Sequence, residues 1–372
     1  MDNKIIKVGL VGLRRGLGIA EGLIEEKNAK ITAICDIRPD RLENGRKYFE
    51  AKGALDLACY EKYEEFLASD VDAVILATDA PLHTPMAIQA LDAGKHVLSE
   101  IPAIDGMKDI KKLKEATDRH PELKYVVAEN CCYWAFIDCW KQMYQDGALG
   151  KAVYAESEYL HAFPIIPPDS KEETLFTSGW RYNYDAIKYL THNLGPLLYI
   201  LDDRCVSVTC MSPDVTYNPY MNDKQNGIAI FKTEKGAVIK ILIGFGMYVG
   251  HDHNYTIYGT KGSIFTDRVK RFPEAHSYAK LSSILGTDNN PIEIPVKTKF
   301  YGEPDSGHGG ADGKMVKDFI KCIIENLESR NNIDSAIKMA LPGIVAAESA
   351  RRGGELMNIY YPWDNEWKET FD

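Results

Sequence analysis

Two side chains able to handle a proton, Lys188 and His192, stand four residues apart in the stretch WRYNYDAIKYLTHNLGPLLYIL, from Trp180 to Leu201. An imidazole takes or returns a proton near neutral pH, and an ammonium steadies a developing alkoxide. The pair therefore suits removal of a hydroxyl proton as a hydride leaves the same carbon. At about 100° per residue, Ile187, Leu190, Leu194, Leu197, Leu198 and Leu201 share one side of a helix, and Lys188, His192, Gly195 and Tyr199 share the other. Trp180 and Arg181 precede these positions, and Tyr159 and His161 end an earlier strand pattern. Aromatic rings and forked donors suit a sugar, with its apolar C–H faces and many hydroxyls, and suit a domain interface nearly as well. Tyr133 in AENCCY (128–133) and His308 in GHGGAD (307–312) are further expected substrate contacts, and Glu129 an expected structural bridge.

A hydride needs an acceptor, and the chain begins with a signal for one. IIKVGLVG (5–12) reads as a buried parallel strand entering a glycine-containing turn, Gly12, Arg14, Arg15 and Gly16, ahead of a helical stretch at 19–26. A turn poor in side chains, with helix amides behind it, admits a pyrophosphate. The strict G-x-G-x-x-G is absent, because Arg14 stands where its second glycine belongs. Asp36 ends the next strand pattern, AKITAICD, 24 residues after Gly12, near the spacing of a carboxylate that binds the adenosine ribose. A carboxylate there accepts the 2′-hydroxyl and repels a 2′-phosphate, so NAD is the expected cofactor. Arg38, two residues on, is placed to stack on adenine or to meet a 2′-phosphate.

The elements that must hold these groups alternate. Helices are expected at 39–52, 85–93 and 107–118 and strands at 71–78, 96–100 and 124–130, which is the order of a doubly wound parallel sheet with ligands at its carboxyl ends. Those ends carry Thr78 and His83 in ATDAPLH, Glu100 and Pro102 in SEIPA, and Asn130 in AENCCY. Beyond residue 150 the pattern turns to period-two strands, at 153–160, 205–211, 227–233, 236–245, 254–260 and 262–267, followed by helices at 311–327 and 333–352. The expected fold is α/β, a Rossmann domain over 1–128, followed over 129–372 by an α+β domain with a large, mostly antiparallel open sheet.

Taken together, GLVGLRRG with Asp36, ATDAPLH, SEIPA, AENCCY and the helix carrying His192 resemble the Gfo/Idh/MocA oxidoreductases over nearly the whole chain. The resemblance implies an NAD-binding domain, a second-domain sheet whose face covers the nicotinamide, and homo-oligomers built through that sheet. Two positions depart from the family pattern. Its E-K-P turn reads Glu100, Ile101, Pro102 here, and its D-x-x-x-H begins with Lys188, so the ammonium is expected to have moved from 101 to 188. THNLGP (191–196) and GHGGAD also look like the NAD-dependent glycoside hydrolase branch.

The first functional expectation is an NAD-dependent oxidoreductase acting on a secondary hydroxyl of a sugar or glycoside, at carbon 3, with His192 and Lys188 as acid–base groups. One alternative is a hydrolase or lyase that oxidises the sugar transiently and recycles its NAD; another is a nucleotide-binding sensor without turnover. A net charge of −10 over 372 residues speaks against nucleic acid or an anionic membrane as partner. The apolar run 237–250 is broken by Lys240 and three glycines, too interrupted to span a bilayer. With no secretory signal pattern and eight cysteines in no disulfide-like spacing, a cytoplasmic place and reduced thiols are expected. His251, Asp252 and His253 read as surface residues at a strand start, and no metal is expected.

Overall fold

The structure, a computed structural model, describes residues 5–24, 26–54, 56–167, 179–248, 251–267, 277–281, 292–294 and 307–371. The chain divides into two compact units, Met1–Asn130 with Gly302–Ala336 and Cys131–Tyr301 with Ile337–Asp372. The first division lies two residues after the expected one, and the segment around the first C-terminal helix belongs with the N-terminal unit.

In the first unit, β1 (Ile6–Val11), β2 (Ala29–Cys35), β3 (Ala58–Tyr60), β4 (Ala73–Leu76), β5 (His96–Ser99) and β6 (Tyr125–Val127) form one sheet in the order β3-β2-β1-β4-β5-β6. All of its pairs are parallel. Val8, Leu10, Val74, Leu76, Val97 and Leu98 are wholly buried, as expected of strands that both faces of the sheet cover with helices. Those helices are α1 (Gly16–Ala20), α2 (Pro39–Ala51), α3 (Tyr63–Leu67), α4 (Ala80–Asp92) and α5 (Met107–Arg119). α1 is shorter than the expected helix and runs into a 3-10 turn, Glu21–Leu23. α4 starts five residues early because Pro81 takes a first-turn position, where its missing N–H costs nothing. The strand expected at 124–130 stops at Val127 and gives way to a 3-10 turn, Asn130–Tyr133.

The second unit holds α6 (Ala135–Gln145), β7 (Ala152–His161), α7 (Gly179–Tyr182) and α8 (Thr191–Leu201). Next come β8 (Cys205–Met211), β9 (Asn226–Thr233), β10 (Val238–Gly244), β11 (His251–Gly259), β12 (Gly262–Thr266), β13 (Ser277–Leu281) and β14 (Ile292–Ile294). After α9 (Ala311–Glu325), which belongs to the first unit, α10 (Ile333–Arg351) and β15 (Met357–Asn358) close the chain. The sheet of nine strands runs β14-β13-β12-β11-β7-β10-β9-β8-β15 and is antiparallel except where β10 lies beside β7. Along β9, Ala229 and Phe231 are buried while Ile228 and Ile230 are exposed, so one face packs and the other is open. Among the described residues no helix is long and apolar enough to cross a membrane.

The helix expected across 180–201 is three pieces: α7, a 3-10 turn at Ala186–Tyr189, and α8. Asn183 and Asp185 interrupt it, as short polar side chains favour turns over helix interiors. α8 has no solvated face: ten of its eleven residues, His192 included, are buried.

Candidate active site

In the first unit, the nucleotide site stands on the carboxyl ends of the parallel strands. Gly12 follows β1 with φ +86°, its N–H donates to Cys35 O at 2.9 Å, and a Cβ there would lie 2.4 Å from Ala77 O. Only glycine fits. Asp36, 6% exposed, accepts the backbone N–H of Leu13 at 2.9 Å and of Arg38 at 3.0 Å. A carboxylate has about four acceptor positions, so two backbone bonds aim it while leaving capacity for a ribose hydroxyl. The guanidinium of Arg38 is paired with Asp40 at 2.6 to 3.0 Å. These features fit NAD: a side-chain-free turn for the pyrophosphate, an oriented carboxylate for the ribose, and an arginine engaged by a neighbouring acid.

Farther along the same edge the polar groups bind one another. His83, buried in α4, faces Pro102 O at 2.8 Å and Thr78 O at 3.0 Å, joining the turns after β4 and β5. Glu100 accepts the N–H of Ile101 at 2.8 Å and pairs with Arg15 Nε at 2.9 Å. The remaining Arg15 nitrogens reach both oxygens of Asp312 at 2.9 Å each. Asp312 also accepts from Asn130 Nδ2 at 2.9 Å and from His308 Nδ1 at 3.1 Å.

In the second unit, antiparallel register sets Tyr159 of β7 opposite His253 of β11, with His161 opposite His251. The His253 ring meets the Tyr159 ring edge-on at 4.4 Å between centroids, and His192 lies 5.2 Å from Tyr159. Tyr189 packs 5.3 Å from His192 and 5.5 Å from Phe245. His192 and His253 are each 8% exposed, and His161 packs 5.7 Å from Tyr159, so the cluster is three imidazoles and two phenols in an aromatic wall. Nδ1 of His192 lies 3.3 Å from Cys131 Sγ.

Pro196 explains the backbone of His192. A proline inside a helix cannot donate to the carbonyl four residues earlier, here that of His192. The fully buried Tyr255 hydroxyl donates to that carbonyl instead, at 2.5 Å.

The model of the oxidoreductase family with an NAD-binding Rossmann fold matches residues 6–128, and the Gfo/Idh/MocA C-terminal domain model matches 139–265. The chain belongs to the Gfo/Idh/MocA oxidoreductases. It is 26% identical over 368 residues to a glycosyl hydrolase family 109 protein of Porphyromonas gingivalis, covering 87% of this chain and 77% of that one. Against a protein of the same name from Shewanella amazonensis it is 28% identical over 389 residues, covering 94% and 84%. In fold it is similar to levoglucosan dehydrogenase in complex with NADH and L-sorbose, with TM-score 0.82, 17% identity, and 96% and 100% of the two chains covered. Scyllo-inositol dehydrogenase from Lactobacillus casei, with bound NAD(H) and scyllo-inositol, gives TM-score 0.75 at 17% identity over 95% and 99%.

NAD is thus the cofactor of this Gfo/Idh/MocA chain, and Gly12, Arg14, Arg15, Gly16, Asp36, Arg38, Thr78, His83, Glu100, Pro102 and Asn130 all stand on the strand-end edge of its first unit. His308 belongs to that unit too, on Asp312, and the other expected substrate residues belong to the second unit. Lys188 belongs to the 3-10 turn and not to α8, with Nζ 4.7 Å from the centroid of the Tyr184 ring. Leu190 stands between that turn and α8, so Lys188 and His192 do not share one α-helix. Arg181 stacks 4.3 Å over Trp180, which meets Tyr184 edge-on. Tyr133 is wholly buried and so forms wall.

Sequence reasoning placed His253 at the surface and gave no site role to Tyr189, Phe245, Cys131 or Asp312. His253 is no surface residue; period two on β11 puts it on one face with Tyr255, which was the available signal. The His251 side chain lies outside the described residues.

Proposed function

We propose that this protein cleaves a glycoside by transient oxidation of a secondary hydroxyl, at carbon 3, and retains its NAD through the turnover. The similarity over 87% of the chain to a protein named as a glycosyl hydrolase supports this reading over the net dehydrogenase first expected. The site chemistry is compatible, since Ile101 leaves the family's lysine position apolar and the second unit gathers imidazoles and phenols. Bound NAD supplies the hydride acceptor and, once reduced, the hydride that restores the hydroxyl.

His192 takes the hydroxyl proton, with Tyr255 holding its carbonyl and so its place on α8. A ketone at carbon 3 acidifies the proton on carbon 2. That proton leaves to a side chain of the same cluster, in which Tyr159 stands between His192 and His253. Departure of the aglycone from carbon 1 and addition of water across carbons 1 and 2 complete a net hydrolysis with no redox change. Trp180 and Arg181 supply a further apolar and forked-donor surface for a sugar in the same unit.

Chromogenic and plain glycosides supplied with NAD separate the readings. Aglycone release with no standing NADH is expected, and His192→Gln is expected to lower the rate by about 10²-fold or more with NAD affinity kept. NADH accumulating in proportion to substrate consumed would mean a net dehydrogenase instead, and NAD binding without either product would mean a sensor.

A further inference from the structure

Asp312 is the first-turn residue of α9 that closes the nucleotide site of the first unit, although it lies far from every strand-end turn in sequence. Its side chain is fully buried, and each oxygen accepts two bonds: Oδ1 from Arg15 and Asn130, Oδ2 from Arg15 and His308. All four acceptor positions of a carboxylate are therefore filled, so Asp312 holds other groups and touches no ligand itself. Because an ionised carboxylate only accepts, His308 Nδ1 carries the proton in this contact. The backbone is bent to make it: His308 has φ +56°, followed by Gly309 at +66° and Gly310 at +91°. A left-handed backbone is unfavourable for a residue with a side chain, so the turn is held against strain by the bonds it forms. A Cβ on Gly22 would lie 2.7 Å from the Gly313 Cα, which places the start of α9 directly on the chain segment after the nucleotide turn.

The sheet order says which end of a dinucleotide this network serves. A dinucleotide lies across the carboxyl edge at the point where strand order reverses, here between β1 and β4. Asp36, after β2, marks the adenosine side. Glu100 after β5 and Asn130 after β6 are on the opposite side, and Arg15 spans from the turn after β1 to Glu100.

We propose that Asp312 is a positioning residue for NAD: it latches Arg15 and Asn130 into the geometry that holds the pyrophosphate and nicotinamide side of the cofactor, making the GHGGAD turn part of the cofactor site.

The inference rests on the NAD assignment and is tested by binding alone. Calorimetric titration of the full chain, freed of nucleotide, with NAD and separately with AMP compares wild type, Asp312→Asn, Arg15→Met and the double variant. Tenfold or greater loss of NAD affinity is expected in each single variant, with AMP affinity, set by Asp36, within about twofold of wild type. The double variant should lose little more than either single one, since both break one unit. Equal loss for NAD and AMP would mean general damage to the unit, and unchanged NAD affinity would mean no latch; either overturns the proposal. Should Asp312→Asn not fold, Arg15→Lys, at the more exposed end of the pair, makes the same comparison: it keeps the charge but loses the fork, and the same selective loss is expected. A wild type that binds neither nucleotide would instead overturn the NAD assignment.

Discussion

Asp312 also ties the protein's stability to acid. Burial by itself pushes its carboxyl pKa up, but the His308 hydrogen bond and the Arg15 charge more than offset this and hold it well below the usual carboxylate range. A carboxyl depressed in the folded state stabilises fully above its unfolded value of about 4. That stabilisation is lost as pH falls from there through the folded value. Asp312→Asn should therefore be less stable than wild type at neutral pH, by about 3 kcal/mol or more as expected when a buried ion pair loses one partner. The gap should narrow as pH is lowered below 4. Urea unfolding of both proteins between pH 7 and pH 2.5 checks it, and a gap independent of pH would mean that the charge is not the source.

At the scale of elements, α8 and β11 act together. Pro196 denies the His192 carbonyl its helical partner, and Tyr255 replaces that bond from the strand. Tyr255→Phe removes the donor while keeping the ring that packs on Trp134 and Phe136. The buried carbonyl is then unsatisfied, at a cost of about 1–3 kcal/mol. Thermal or urea unfolding should show that loss. The rate of the chemical step should fall as well, because the base shifts with its backbone. A Pro196→Ala change in the Tyr255→Phe background should restore part of the stability by giving the carbonyl its helical N–H back. No restoration would mean that the hydroxyl acts elsewhere.

At the scale of the whole molecule, the open face of the nine-stranded sheet carries a contiguous apolar patch. Met211 is 64% exposed, Ile228 45% and Ile230 46%, and register sets Met211 beside Ile228, which lies beside Leu242. Water-facing strand positions are ordinarily polar, and a patch of this kind marks a contact surface. A second copy of the chain is the proposed occupant, through the sheet. Ile228→Lys, which places charge between Met211 and Leu242 without touching the buried face, should convert the assembly to monomer in analytical ultracentrifugation while each monomer keeps its NAD affinity. A wild type that sediments as monomer would remove the proposal.

The order of residues alone sets the parallel first sheet, because continuous apolar runs and alternating periods are local properties of the chain. It also determined the nucleotide turn with Asp36, where chemistry and spacing lie within one strand–helix–strand unit. The remaining features arose from contacts between distant segments. Whether 180–201 is one helix or three pieces depended on turn-forming Asn183 and Asp185 competing with a helical pattern that the leucines alone satisfy. His253 joined His192 and Tyr159 only through the register of β7 and β11, and register is a long-range property that no local spacing encodes. His308 and Asp312 passed to the nucleotide side because α9 returns to the first unit, 182 residues after Asn130. Closure of a chain over that distance is set by the summed burial of both units and leaves no mark on the residues between.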